Sequence, residues 1–288
     1  MTVKSFAKIN LGLEIIGKRA DGYHDIRTLF QTISLADELD FEPAPPGVLD
    51  LAGDDPSVAW DRTNLVLRAV RLLQVETGTE RGARIVVRKT VPAGRGLGGG
   101  SSNAAATLLA LNAMWDLGLG AGELAGLARS LGADVPFFLH GGLCLGEDIG
   151  DRLTPLPDLP PLPCLLVFPP FPIPTPSIYA AVGPSLTSAG KVSKIMRFLE
   201  SGDFGLLEND LEHVIFRAYP ELERWKSYFR ERGAVLSQVS GSGSAVYGLF
   251  SDTESAAAAR RRLPGTADAR LAATLPREGY KAQLGAGA

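Results

Sequence analysis

From Val3 to Ile15 the odd positions are apolar or small (Val3, Ser5, Ala7, Ile9, Leu11, Leu13, Ile15), and Lys4, Lys8, Asn10 and Glu14 fall on even ones. A period of two predicts one long strand over residues 3–16 with a single buried face. Lys8 then points away from that face, toward solvent or a cleft. Asp21-Gly22-Tyr23-His24 has turn chemistry. A second strand follows over 25–35, and 37–51 suits another. Apolar spacing over 64–76 (Leu65, Ala69, Leu72, Leu73) predicts a helix. Residues 83–89 read as a strand. Residues 103–115 read as a helix built on Ala and Leu, and 123–131 as one stopped by Gly132. Asp134 is expected to cap a short helix running through Val135-Pro136-Phe137-Phe138, since proline is tolerated in a first turn.

Thr154 to Pro176 holds ten of the twenty prolines, so it reads as mostly extended, with a short strand at 164–168. A domain boundary is expected at its start, dividing the chain into 1–153 and 154–288. Beyond it, helices are expected over 191–200, 206–218, 220–233 and 253–263, and strands over 235–239, 245–250 and 269–275. The tail from Gln283 reads as frayed. Strands and helices come in clusters and do not alternate strictly, which implies an α+β architecture.

The bulk numbers narrow the function. With 45% hydrophobic and 21% charged residues, the 288-residue chain can bury a real core. A net charge of −3 gives no footprint for nucleic acid. The one dense basic run, Arg260-Arg261-Arg262, suits the end of the 253–263 helix. Cys144 and Cys164 lack metal-like spacing and sit in apolar settings, so a reducing, cytoplasmic setting is expected. There is no signal-peptide pattern at Met1-Thr2-Val3-Lys4-Ser5-Phe6 and no apolar run of membrane-spanning length.

The chemistry concentrates in Pro92-Ala93-Gly94-Arg95-Gly96-Leu97-Gly98-Gly99-Gly100-Ser101-Ser102, just before a helix. Bare backbone N–H groups, two hydroxyls and the positive end of a helix dipole suit a polyphosphate. Gly94, Gly96 and Gly99 formally match a dinucleotide fingerprint, but five glycines in seven residues produce that match by themselves. The acidic residue that such a site wants about twenty residues on, after a strand, is not there. Gly94 and Gly99 also have Walker A spacing, yet Gly100 stands where the lysine belongs. The remaining reading is a distinct phosphate loop, P-x-x-x-G-L-G-G-G-S-S.

That loop resembles the second motif of the GHMP kinase superfamily. The rest of the chain resembles one branch of it, the diphosphocytidyl-methylerythritol kinases. Ala7-Lys8-Ile9-Asn10-Leu11, Asp21-Gly22-Tyr23-His24, Gly132-Ala133-Asp134-Val135-Pro136-Phe137-Phe138, Pro174-Thr175-Pro176 and Asn209-Asp210-Leu211-Glu212 carry the likeness, in order along the chain. Ser240-Gly241-Ser242-Gly243 is similar to the superfamily's third motif. The resemblance implies a two-domain GHMP fold, with a ribosomal S5 domain 2-like N-terminal domain and an α/β-plait C-terminal domain. It also implies ATP as donor with Mg²⁺, a cytidine-diphospho-methylerythritol acceptor in the non-mevalonate isoprenoid route, and no nucleic-acid or membrane partner. A monomer or weak homodimer is expected.

By the same resemblance Lys8 and Asp134 form the catalytic couple. A carboxylate takes the proton of the acceptor hydroxyl, and a nearby ammonium keeps it ionised. Pro92, Gly94, Gly96, Leu97, Gly98, Gly99, Gly100, Ser101 and Ser102 would hold the ATP phosphates. Ser101 or Ser102 would reach Mg²⁺. Asn10, Tyr23, His24, Asp134, Tyr179 and the turn Ser240, Gly241, Ser242, Gly243 would contact the acceptor, with Tyr23 and Tyr179 sandwiching cytosine and His24 on its edge. Phenylalanine is common in the family where Tyr179 stands. The rivals are a GHMP kinase for mevalonate-type or homoserine substrates, which offer no base to stack, and a binding protein without catalysis.

Overall fold

The computed structural model describes residues 1–183, 190 and 192–284. Its first sheet comprises β1 (Thr2–Lys18), β2 (His24–Ala44), β3 (Leu49–Gly53), β4 (Gly82–Arg88), β5 (Leu143–Glu147) and β6 (Arg152–Pro155). The order is β3-β4-β2-β5-β6, with β1 also paired to β2. Only β3 and β4 run parallel. The 21-residue β2 is one continuous strand where two were expected. It pairs with β1 along most of its length, with β4 through Glu38–Ala44 and with β5 through Thr28–Gln31.

One face of this sheet carries α1 (Leu65–Thr77), α2 (Gly99–Met114) and α3 (Ala121–Leu131). Leu39, Phe41, Val70, Leu73, Ile85, Ala105, Leu108 and Leu131 close the core between them. Asn64 caps α1, its side chain accepting from Val66 N at 2.9 Å. α2 is buried nearly all round, which suits its run of small apolar residues. It begins four residues earlier than expected, so Gly99 to Ser102 form its first turn. Gly132 ends α3 at φ 163, extended backbone and not a left-handed cap.

The second sheet has the order β10-β7-β9-β8, all antiparallel, from β7 (Pro163–Val167), β8 (Leu236–Val239), β9 (Val246–Leu249) and β10 (Ala269–Ala273). Helices α6 (Lys194–Ser201), α7 (Glu212–Ala218), α8 (Pro220–Arg230) and α9 (Thr253–Arg261) accompany it. The helix expected over 206–218 is shorter: a 3-10 turn spans Phe204–Leu206 and α7 starts only at Glu212. β5, β6, α4 (Phe137–His140), α5 (Thr175–Ala180) and α10 (Arg277–Gln283) complete the chain. Of these, β5, β6, α5 and α10 have no counterpart in the sequence reading. The frayed tail is corrected as far as residue 284: Leu284 packs with Tyr280 and Phe6, while residues 285–288 lie outside the described part.

The single-faced reading of β1 fails for a tertiary reason. Residues 5–15 are buried on both faces. Ala7, Ile9 and Leu11 face a second core with Leu166, Tyr247 and Leu249 of the other sheet, and Lys8, on the opposite side, is still only 4% exposed. The β1–β2 register also shifts between Phe6 and Lys8 and between Asn10 and Gly12. Such irregularities re-aim side chains, and here they bracket Lys8 and Asn10.

Candidate active site

A cavity of about 740 Å³ opens where β1, the start of α2, the segment before α4, α5 and the β8–β9 turn meet. Lys8, Asn10, Tyr23, His24, Gly96, Ser101, Asp134, Tyr179, Gly241 and Ser242 all line it. Residues far apart in sequence, from five separate motifs, therefore share one wall.

Lys8 sits at its centre. Its Nζ donates to Asn10 Oδ1 at 2.6 Å and lies 3.6 Å from Asp134 Oδ2. It also lies over the Phe30 ring, 5.3 Å from the centroid. Asn10 is fixed in turn: its Nδ2 donates to Thr28 Oγ1 at 2.8 Å, and Thr28 donates to Gly12 O at 2.7 Å. The Tyr247 hydroxyl donates to Asn10 O at 2.8 Å. Asp134 is not the cap expected of it. Pro136 precedes α4 without any side-chain cap, and Asp134 lies in the preceding turn with its carboxylate toward Lys8. At 37% exposed it faces the cavity, so the ammonium and not a helix end is its partner.

The glycine loop is built into this centre. Lys8 N donates to Leu97 O at 3.0 Å. Gly98, at φ +70, passes so close that a Cβ there would lie 2.8 Å from Phe138 and 3.2 Å from Lys8 Cγ. Gly96, at φ +77, would put a Cβ 2.0 Å from Ser240 O. Both a left-handed backbone and a close approach therefore require glycine. Ser240 Oγ donates to Gly96 O at 2.8 Å, so the two glycine-rich turns hold one another.

Not every residue of the loop faces the cavity. Gly96 and Ser101 line it, whereas Pro92, Gly94, Gly98, Gly99 and Gly100 do not, and Leu97 is a core residue at 1% exposed. Ser102 is also turned inward, 2% exposed, with its hydroxyl accepting from Ser5 Oγ at 2.7 Å. Of the second turn, Gly241 and Ser242 line the cavity and Ser240 and Gly243 do not. Ser242 Oγ is 2.7 Å from Thr175 Oγ1 of α5, which also lines it. Arg95, inside the glycine run, points elsewhere. Its guanidinium donates to Pro169 O at 2.6 Å, Ser244 Oγ at 2.9 Å and Phe171 O, and burial holds its pKa below the usual value.

The aromatic part of the wall comes from the turn before β2 and from α5. The His24 and Tyr179 rings lie 5.5 Å apart and tilted by 37°. Tyr23 is 62% exposed, a large ring without a covering partner on the rim. Burial, and then the charge of Lys18, lower the His24 pKa below its ordinary value, which favours the neutral ring. Burial, and then Asp134, push the Tyr179 phenol well above its ordinary range.

Several contributors escaped the sequence reading. Phe30, Thr28 and Tyr247 are core-type residues whose spacing carries no chemical signal. The same holds for a buried support under the loop. Asp37, fully buried, accepts from Thr90 N at 2.7 Å and Val91 N at 2.8 Å, and pairs with Lys89. Thr175 stood inside a quoted motif, Pro174-Thr175-Pro176, and is recoverable from it.

Residues 64–142 match the model of the GHMP kinases N terminal domain, and residues 188–268 that of the GHMP kinases C terminal domain. Together with the glycine loop on α2 and the cavity beside it, these matches define the class: an ATP-dependent small-molecule kinase of the two-domain GHMP type. The chain is 42% identical over 261 residues to the 4-diphosphocytidyl-2-C-methyl-D-erythritol kinase of Pelotomaculum thermopropionicum, covering 89% of this chain and 91% of that one. It is 41% identical over 273 residues to the enzyme of the same name from Chloroherpeton thalassium, covering 91% and 95%. A crystal structure of a 4-(cytidine 5'-diphospho)-2C-methyl-D-erythritol kinase superposes with a TM-score of 0.83 at 39% identity, over 95% of this chain and 99% of that one. The homoserine kinase from Cytophaga hutchinsonii shares the fold, with a TM-score of 0.75 at 16% identity over 97% and 96%. The chain belongs to the 4-diphosphocytidyl-2-C-methyl-D-erythritol kinase family.

Proposed function

We propose that this protein transfers the γ-phosphoryl group of ATP to the 2-hydroxyl of 4-(cytidine 5'-diphospho)-2-C-methyl-D-erythritol, a step of the non-mevalonate isoprenoid route. The observation that carries the reading is that one cavity joins two chemistries. Lys8, Asp134 and the loop residues Gly96 and Ser101 suit phosphoryl transfer, while Tyr23, His24 and Tyr179 suit a flat neutral base. Stacking on aromatic side chains is worth roughly 1–3 kcal/mol per base. Mevalonate-type and homoserine acceptors would leave that aromatic wall without a use.

In this reading the acceptor oxygen forms a bond to the γ-phosphorus as the bond from that phosphorus to the β–γ bridging oxygen breaks, releasing ADP. The hydroxyl proton passes to the Asp134 carboxylate. Lys8, 3.6 Å from Asp134 Oδ2, balances the negative charge on the transferring group. Its hydrogen bond to Asn10 and the cover of Phe30 limit where the ammonium can go, so positioning does much of the catalysis. The backbone of Gly96 to Ser102 and the start of α2 receive the phosphates.

Among the described residues no cluster of three or more His, Cys, Asp or Glu side chains could hold a metal ion. Mg²⁺ would be held mainly by phosphate oxygens and water. Ser101, which lines the cavity, would be its protein contact in preference to the inward-turned Ser102, and the ion would neutralise phosphate charge. We further propose that 1–153 and 154–288 are the two domains, and that the protein works in the cytoplasm. The unpaired thiols of Cys144 and Cys164 support a reducing setting. Among the described residues no helix is long and apolar enough to cross a membrane.

The test is ADP release with ATP and Mg²⁺, offering the cytidylyl acceptor beside mevalonate and homoserine. Turnover with the cytidylyl alcohol alone is expected. Turnover with either of the others, and none with it, would sink the proposal.

A further inference from the structure

Asn209-Asp210-Leu211-Glu212, far from the cavity in sequence and absent from its wall, has a use that the proposed chemistry does not assign. Asn209 is 2% exposed. Its Nδ2 donates to two backbone carbonyls of the second glycine turn, Val239 O at 3.0 Å and Gly241 O at 2.8 Å. Its Oδ1 accepts from Leu211 N at 3.0 Å, so the amide is oriented from both sides. Glu212 adds a third tie, accepting from Val239 N at 2.8 Å while paired with Lys226.

The other side of the same segment grips β1. Leu13 N donates to Glu208 O at 2.8 Å, Asp210 N to Leu13 O at 2.8 Å, and Ile15 N to Asp210 Oδ2 at 2.8 Å. Residues 208–212 therefore link the strand that carries Lys8 and Asn10 to the turn that closes over them. The closure is tight. A Cβ on Gly241 would lie 3.1 Å from Asn10 Oδ1 and 3.6 Å from Lys8 Nζ.

We propose that Asn209 is a positioning residue for the phosphoryl transfer. By holding Gly241 against the Lys8–Asn10 pair, it fixes where the ammonium meets the reacting group. The inference rests on the kinase reading above for its catalytic consequence, but not for the clamp itself. A displacement of about 1 Å in such a site costs on the order of a hundredfold in rate.

Asn209→Asp is the sharp variant. It keeps the size and the acceptor for Leu211 N, but as a carboxylate it presents an acceptor to two carbonyls. When its new carboxyl group is protonated, the variant regains one donor. The ratio of its kcat to that of the wild type should therefore rise as pH falls, and that of Asn209→Ala should not. Both variants should lose tenfold or more in kcat at neutral pH, with the KM for ATP changed much less. Hydrogen exchange of the peptide covering residues 239–245 needs no acceptor, so it judges the clamp even if the substrate assignment fails. Faster exchange confined to that turn in both variants is expected. Unchanged exchange, or wild-type kcat in Asn209→Ala, overturns the proposal. An Asn209→Asp variant that loses activity equally at every pH assigns Asn209 to folding alone and overturns it too.

Discussion

Lys8 and Asp134 meet across 3.6 Å although 126 positions separate them, and the two partners differ sharply in exposure, 4% against 37%. The lysine is committed to the protein through Asn10, while the carboxylate is left open to the cavity. That asymmetry suits a fixed cation and a carboxylate that must reach a substrate hydroxyl.

Asp134→Asn should lower kcat by about 10²–10⁴-fold, the range for a lost proton acceptor. ATP affinity, measured by calorimetry, should stay near that of the wild type. An equal loss of affinity and rate would assign Asp134 to structure. Lys8→Met keeps the aliphatic stem in its buried slot and should lose kcat comparably. Unchanged turnover would remove Lys8 from the chemistry.

The two serines after the glycines should separate. Ser101→Ala is expected to raise the KM for Mg–ATP while leaving the melting temperature in place. Ser102→Ala removes the acceptor of a buried hydrogen bond from Ser5 and should cost ~1–2 kcal/mol in denaturant unfolding. The reverse pattern would overturn the assignment of Ser101 to the metal.

Gly100 is exposed in the first turn of α2, and a Cβ there would meet only Leu65 Cδ1, at 3.8 Å. Gly100→Ala should stabilise the fold by up to ~1 kcal/mol through helix propensity. If the start of α2 receives the phosphates as proposed, it should at the same time raise the KM for ATP, because a methyl group on this exposed turn would crowd them. A stabilised variant with unaltered KM would move the triphosphate away from this turn.

His140 is half-buried, and burial followed by Arg277, Lys281 and Arg129 lowers its pKa below the ordinary 6.5. The folded state therefore binds its proton less readily than the unfolded chain. Its contribution is fully present above pH 6.5 and is lost as pH falls through the lowered value. His24 acts in the same direction. The drop in melting temperature from about pH 7.5 to about pH 5.5 should be smaller in His140→Asn than in the wild type. Equal drops would show that His140 does not contribute.

Much of the local structure was legible because it depends on near neighbours. The helical spacing after Asn64 gave α1, and the strands expected over 235–239 and 245–250 stand as β8 and β9. The glycine run, quoted motifs and turn residues also singled out residues from each part of the cavity wall. Lys8, Asn10, Tyr23, His24, Gly96, Ser101, Asp134, Tyr179, Gly241 and Ser242 all reached it. Where the reading failed, a distant partner had changed the local outcome. Asp134 has the chemistry of an N-cap, and loses that part because Lys8 offers it a charge. Asn10 and Glu14 look solvated on β1, and are buried because Thr28 and the start of α6 close over them, while Lys8 takes the cleft, one of its two expected places, and is covered by Phe30.

By itself, then, the sequence determined the types and order of most elements, the glycine loop before α2 and the polar and aromatic residues that line the cavity. These follow from side-chain pattern and backbone permissiveness over a few residues. Only the tertiary structure decided that Ser101 lines the cavity while Ser102 bonds inward to Ser5, that the Arg95 guanidinium bonds Pro169 O and Ser244 Oγ, and that Asn209 holds Gly241 O. Each of those outcomes depends on contacts across dozens to hundreds of positions, whose geometry is set by how β1 is enclosed on both faces.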